Sequence, residues 1–322
     1  MIWFPSLCFR KMMGDIMVHG SRLMVNDLVS IIMLSYNGGR YVEETVRSVL
    51  AQTYQNWELL FVAERHKDEA LEKMLDLRKE ESDRLRKDGR EWSEYSSVND
   101  KIKVSYIVGE SDEAPRRNTA LKDARGRWIA FLDAGDVWEP TKLERQIAFM
   151  EEHGYAFSYT KYGLIDSKSR NRGVEIGGKE HVTHEDMMKC CWPAYMTVMY
   201  DAAKVGLVQV RNLRENNDYA LWLNISEKAD CYLLDENLAK LRTPWGMMGR
   251  LLLTKKIKWR YEVYRVEENL NPFVSGLMTL RNMWYGLVKW GGTFHEIKTI
   301  DKTVIKLLVM SNSNSELTAY RF

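Results

Sequence analysis

Cysteine is scarce in this chain, with four among 322 residues. They stand at 8, 190, 191 and 231, and no Cys-x-x-Cys or metal-finger spacing occurs. Cys190 and Cys191 are adjacent and do not readily bridge each other. A reducing cytoplasm is therefore the natural compartment. The chain also lacks any run of about 18 uncharged apolar residues, so no spanning helix is expected. Charge of one sign is missing too. The 47 Lys and Arg nearly balance the 45 Asp and Glu, leaving +2, which argues neither for nor against nucleic acid. Internal repeats and low-complexity tracts are absent. So is a signal peptide: in residues 1–23 the apolar run precedes the basic residues, and no small-residue cleavage site follows. Met24 stands just before a clean strand, and translation is expected to begin there; 1–24 would be an extension outside the core, the alternative being an arm that packs on the domain.

What is present is a globular composition, 45% hydrophobic and 29% charged, with ample material for a core. Residues 28–34 (LVSIIML) read as a strand buried on both faces. A turn, Ser35-Tyr36-Asn37-Gly38-Gly39, follows it. Residues 41–52 form a helix with Val42, Val46, Val49 and Leu50 on one face, and 57–62 (WELLFV) a second strand. Strand, helix, strand at this spacing is a βαβ unit with parallel strands. Residues 64–100 alternate in charge and read as a solvated helix. A third strand covers 103–108. A helix carrying Arg116, Arg117 and Asn118 leads to a fourth strand at 128–132, with Arg116 expected in solvent.

The fourth strand ends in Asp133-Ala134-Gly135-Asp136. Carboxylates at the C-terminal end of a buried strand lie where open α/β sheets bind ligands. Aspartates in a Gly-containing turn are also sensible ligands for Mg²⁺ or Mn²⁺, ions that usually bridge to phosphate. The reading is a metal-assisted site for a nucleotide diphosphate. The alternative is an Asx-turn followed by a helix N-cap.

After a helix at 141–152 the pattern loosens. Short strands are expected at 156–160, 162–166, 195–200, 231–234 and 238–241. A polar loop is expected at 167–178, a short helix at 184–190 and a helix at 219–228 capped by Asn216-Asn217-Asp218. Beyond Pro244, residues 250–265 are basic with aromatics, and 277–288 have an amphipathic face.

These segments, in this order, resemble the family 2 glycosyltransferases, whose fold is called GT-A. The resemblance runs from about Leu28 to Gly246. It rests on VSIIMLSYNGGRYVEETVRSVLAQTYQNWELLFV, RRNTALKDARGRWIAFLDAGDVWEPTKL, FSYTKYGLID, TVMYD and NNDYALWL. It implies an α/β fold with a Rossmann-like, mostly parallel sheet flanked by helices, followed here by C-terminal amphipathic helices. The domain would cover 25–245, with a nucleotide-binding half at 25–150 and an acceptor half at 151–245, leaving 246–322 as a C-terminal helical region.

It also implies inverting transfer from a nucleotide sugar, a UDP-sugar by preference, with Mg²⁺ or Mn²⁺ as cofactor. The acceptor would be a saccharide or lipid-linked saccharide, and no nucleic acid is involved. Position by position, Leu34, Tyr36 and Asn37 would hold the nucleoside. Glu64 stands where the family usually has the second of two aspartates, and Ala63 replaces the first. Arg117 and Asn118 match an Arg-Asn pair. Asp136 would bind metal, and Asp133 ribose or metal. Gly135 replaces one acidic residue of the motif.

Asp218 would be the general base, in a pair whose first member is Asn217; a helix N-cap is its alternative role. Thr197 would line the sugar pocket and Arg242 the diphosphate, while Trp222 reads as core and His184 as a surface residue. Such an enzyme would add a sugar to a surface glycan at the inner face of the membrane. Residues 250–290 would either touch an anionic membrane or pack on the catalytic domain. The three departures at Ala63, Gly135 and Asn217 motivate a second reading, a relative that binds nucleotide or partner without turnover.

Overall fold

The computed structural model describes residues 16–19, 22–35, 39–63, 69–87, 101–106, 113–211, 213, 216–243 and 253–291. In chain order, β1 (Ile16–His19) pairs antiparallel with β2 (Arg22–Leu34). Then come α1 (Val42–Leu50), β3 (Trp57–Ala63), α2 (Glu69–Lys87), β4 (Ile102–Tyr106), α3 (Glu113–Asp123) and β5 (Gly126–Asp133). The middle of the chain supplies β6 (Val137–Trp138), α4 (Lys142–His153), β7 (Phe157–Ile165), β8 (Asn171–Ile176), β9 (His181–Val182) and α5 (His184–Lys189). A 3-10 turn (Tyr195–Thr197), β10 (Met199–Asp201), α6 (Ala202–Val205), α7 (Asn217–Ser226) and β11 (Cys231–Arg242) follow. Two helices, α8 (Leu253–Val266) and α9 (Pro272–Gly291), close the described chain.

The strands form one mixed sheet in the order β4-β3-β2-β5-β10-β7-β11-β6, with β1, β8 and β9 attached beside it. The block β4-β3-β2-β5 is parallel, as the βαβ spacing requires. Its strands are apolar on both faces, and the alternation sorts them into two cores. Ile32, Leu34, Leu60, Val62, Ile129 and Phe131 face one core, where α3, α7 and α8 pack. Val29, Ile31, Met33, Leu59, Phe61, Trp128 and Ala130 face the other, against α1, α2 and α4. In such a parallel block with helices on both faces, ligands bind at the C-terminal strand ends.

The block also holds a buried charge. Glu58, on β3, is 1% exposed and accepts from Ser30 Oγ at 2.6 Å and from Arg125 N at 2.8 Å. Burial pushes its pKa up, but these hydrogen bonds and the cations Lys103 and Arg125 outweigh burial and hold it below the usual value. The knot ties β2, β3 and the entry of β5 at the edge opposite the site.

Four expectations are corrected. Residues 156–160 and 162–166 are one strand, β7, and 231–234 and 238–241 are one strand, β11. The polar interruption Lys161 stays in β7 because its ammonium reaches Glu175 and Asp235 at 3.3 and 2.5 Å. In β11 the interruption is absorbed by register shifts against β7 between Leu234 and Ala239. The loop 167–178 contains β8, which pairs antiparallel with β7. The strand expected at 195–200 is the 3-10 turn followed by β10.

Candidate active site

Strand β2 ends beside the acidic turn. Leu34 is the register partner of Asp133, and its carbonyl accepts from Ala134 N at 3.2 Å. Tyr36, Asn37 and Glu64 lie outside the described residues. Ser35 lies inside them, and its carbonyl accepts from Arg116 Nη1 at 2.7 Å. Arg116 was expected in solvent; it is fully buried. An α-helix presents neighbouring residues about 100° apart, and here both arginines fall on the inner side of α3.

The turn 133–136 is shaped by its glycine. Gly135 has φ +136°, a region that L side chains rarely adopt. An aspartate at this position would be strained in this turn, a physical reason for the thinner acidic motif. Gly135 N donates to Thr45 Oγ1 at 2.9 Å, and its carbonyl accepts from Arg242 Nε at 2.8 Å. Asp136 is buried, and its Oδ1 accepts from Arg242 N at 3.0 Å. Burial pushes Asp136 up to about 7 against the opposing N–H and charge of Arg242. Desolvation, then the negative charges of Glu113 and Asp136, push Asp133 well above its ordinary value; Arg117 opposes them. Two carboxylates held this way are short of positive charge, and a divalent cation would supply it.

Arg117 reaches from α3. Its side chain is 1% exposed and bonds Glu113, one turn earlier, through Nη2. Its Nε donates to Tyr195 Oη at 3.4 Å, and the guanidinium lies 4.8 Å from that ring centre. Nη1 is buried with no partner among the described residues. Buried guanidinium groups are normally satisfied, so a bare donor beside two aspartates suits an anionic ligand. Asn118 is used differently. Its carboxamide donates to Val210 O at 2.7 Å and accepts from Val210 N at 3.0 Å, pinning the segment before α7.

Helix α7 starts one residue after Asn216, which is in the left-handed conformation at φ 59°. Asp218 is therefore in the first turn and is not the cap residue. A carboxylate there interacts favourably with the helix dipole. Its charge acts on both Arg117 and Asp133, so four groups from α3, β5 and α7 meet electrostatically. Asn217 beside it is 1% exposed, and neither carboxamide atom has a partner among the described residues.

Two expected site residues have other uses here. Thr197 is fully buried, and its Oγ1 donates to Ala194 O at 2.6 Å within the 3-10 turn. Arg242, at the end of β11, has a side chain 4% exposed. Besides Gly135 it donates to Asp166 O at 3.0 Å, Ser169 Oγ at 2.9 Å and Glu44 Oε2 at 2.6 Å, and it stacks 4.2 Å over Tyr41. Trp222 is core, packed edge-on against Phe131.

The site contains residues that motif reading passed over: Glu113, Tyr195, Glu44 and Thr45. Glu113 was findable, since it precedes Arg117 by four helical positions. Tyr195 and Thr45 reach the site only through the fold.

A sheet closed by helices on both faces, with carboxylates and an arginine at the C-terminal strand ends, is an arrangement of the GT-A type. The model of "Glycosyl transferase family 2" matches residues 30–181. TuaG of Bacillus subtilis, whose name provisionally assigns it to teichuronic acid biosynthesis, is 34% identical over 216 residues, 67% of this chain and 79% of that protein. A UDP-Glc:alpha-D-GlcNAc-diphosphoundecaprenol beta-1,3-glucosyltransferase of Escherichia coli, WfgD, is 35% identical over 203 residues, 62% and 69% of the two chains. Among solved structures, TarS of S. aureus, residues 1–349 in complex with UDP-GlcNAc, superposes with a TM-score of 0.58 at 19% identity, covering 86% of this chain and 78% of that one. The chain belongs to glycosyl transferase family 2.

Proposed function

We propose that the chain moves a hexose from a UDP-sugar to a lipid-linked saccharide, with inversion, during assembly of a surface polysaccharide. The observation that carries the reading is the convergence of Asp133, Asp136, Arg117 and Asp218 at the open edge of the parallel block. The names of the relatives, one a UDP-glucose transferase acting on a diphosphoundecaprenol-linked sugar, support the donor and acceptor classes.

Asp218 takes the proton of the acceptor hydroxyl as that oxygen bonds to the anomeric carbon. The bond from that carbon to the diphosphate breaks on the opposite face. Arg117, through Nη1, balances the charge that grows on the leaving diphosphate. Asp133 and Asp136 would hold a Mg²⁺ or Mn²⁺ ion, which when bound adds positive charge beside the diphosphate. Leu34, Tyr36, Asn37 and Glu64 hold the nucleoside. Asn118 and Arg242 shape the site, by pinning Val210 and the turn at Gly135.

Helix α9 bears on the acceptor. Its buried side is polar: Ser275, Thr279 and Asn282 are at most 5% exposed. Asn282 Nδ2 donates to Tyr219 Oη at 3.1 Å, and Tyr219 meets Tyr264 Oη at 3.0 Å. The outer side is apolar, with Phe273 76%, Leu277 52% and Trp284 50% exposed. An open groove of about 560 Å³ between α8 and α9 is lined by Ile257, Tyr261, Phe273 and Leu277. Among the described residues no helix is long and apolar enough to cross a membrane. An apolar outer face on a helix that does not span suits contact with the inner surface of the membrane, where a lipid-linked acceptor is found.

The test is donor hydrolysis with a panel of nucleotide sugars and Mn²⁺, comparing the wild type with Asp136→Ala and Asp218→Asn. Turnover of one UDP-sugar, lost in Asp136→Ala, is the expected result. If folded protein with metal binds and hydrolyses no donor, the reading fails. A binding protein without turnover, motivated by Ala63, Gly135 and Asn217, then replaces it.

A further inference from the structure

We infer that His184, Glu227 and Glu268 form a second divalent-cation site, which fastens the end of α8 to the catalytic domain away from the acidic turn. The three residues come from different elements. His184 opens α5, Glu227 follows α7, and Glu268 lies just past α8. One ligand atom from each lies within 4.8 Å of the others.

The histidine is prepared for such a role. Ser226 Oγ has one proton, and it donates to Leu223 O at 2.8 Å. The same oxygen stands 2.9 Å from His184 Nδ1 and can therefore only accept. The imidazole is fixed with its proton on Nδ1, and the lone pair of Nε2 faces the carboxylates. A hydrogen bond from the far nitrogen that sets the tautomer is the usual support of a metal-bound histidine. Helix α5 itself is anchored by a capping box between Thr183 and Asp186, so the ring is carried on a fixed start.

The second observation is Glu268. Its side chain is 8% exposed, and Oε1 has no partner among the described residues. Oε2 lies 3.9 Å from His184 Nε2, too long for a hydrogen bond. Ligands of one tetrahedral ion stand about 3.3 Å apart, given bonds near 2.0 Å, so closing the gap needs only a small side-chain movement. Glu227 is exposed and free to swing. Desolvation, then the charges of Glu227 and Glu267, push Glu268 up to about 7.

One imidazole and two carboxylates suit a borderline ion such as Zn²⁺ better than Mg²⁺ or Ca²⁺, which take oxygen ligands. Water would complete the coordination. The role of the site is to hold α8, and through Tyr264 the start of α7, in place.

The experiment uses the full chain, stripped with chelator and titrated with Zn²⁺. Asp136→Ala serves as the background, to remove zinc bound at the acidic turn. The Asp136→Ala protein is expected to bind one zinc and to rise in Tm on binding. Adding His184→Ala or Glu268→Gln should weaken that binding at least tenfold and abolish the rise in Tm. Co²⁺ in place of Zn²⁺ should give a visible absorption band that His184→Ala alters. Should Glu268→Gln fail to fold, Glu227→Gln, at an exposed position, still has to weaken zinc several-fold. Zinc binding that none of these changes affects would overturn the site. So would no zinc binding by folded Asp136→Ala protein.

Discussion

Two buried arginines flank the acidic turn, one on each side, and they are used in opposite ways. On the β11 side, Arg242 has Nε, Nη1 and Nη2 all engaged, by Gly135, Asp166, Ser169 and Glu44. On the α3 side, Arg117 is just as buried but keeps Nη1 bare. A guanidinium whose donors are all met by protein is a brace. One with a buried donor unmatched among the described residues is open to a ligand. Motif position alone assigned both to the nucleotide; their hydrogen bonds separate them.

The first way to press this comparison lies between the arginines, at Asp218. Asp218→Asn should cut kcat by about 10²–10⁴ with donor KM little changed, as expected for loss of a general base. Steady-state rates with acceptor would show it, and a variant retaining full kcat would remove Asp218 from the reaction. Next, Arg117→Gln should lower kcat/KM by about 10²–10³, since it withdraws a donor from the leaving group, with a smaller fall in Tm than at Arg242.

Arg242→Met should do the reverse. Removing a buried cation from a network of this kind costs about 3 kcal/mol, seen as a Tm several degrees lower, with activity falling only through the distorted turn. Arg242→Lys should rescue little, because an ammonium cannot reproduce the planar fork. If Arg117→Gln unfolds the protein and Arg242→Met merely slows it, the two roles are exchanged.

A smaller effect concerns pH. Asp136 holds its proton to about 7 in the folded chain, against an ordinary value of 3.8. A raised carboxylate contributes stability that is fully present below the unfolded value and lost as pH rises through the folded one. In metal-free protein, the Tm of the wild type relative to Asp136→Asn should therefore fall between about pH 4 and pH 7. Mn²⁺ should reverse the trend, because it binds the ionised form. The smallest expected effect is on the outer face of α9: Leu277→Glu with Trp284→Glu should reduce sedimentation with anionic vesicles and leave donor hydrolysis as it is.

The parallel block was legible because its information is local. Residues 28–34 and 57–62 are apolar without a break, which is what burial on both faces requires, and the acidic turn follows directly from strand 126–133. The second half was less so. Lys161 and the polar stretch at 235–237 look like turns, since a strand edge that exports its charges to ion pairs cannot be told from a loop by pattern alone.

The chain's own order of residues thus determined the family, the βαβ alternation, the aspartates at 133, 136 and 218, and the amphipathic helices at the end. Each is set by neighbours within a few positions. The tertiary structure decided which arginine is buried as a brace, why glycine stands at 135, that Asp218 sits inside its helix, and that His184 meets Glu268. Those depend on groups far apart in sequence brought to one point, where burial removes water and makes every unmatched charge and hydrogen bond count.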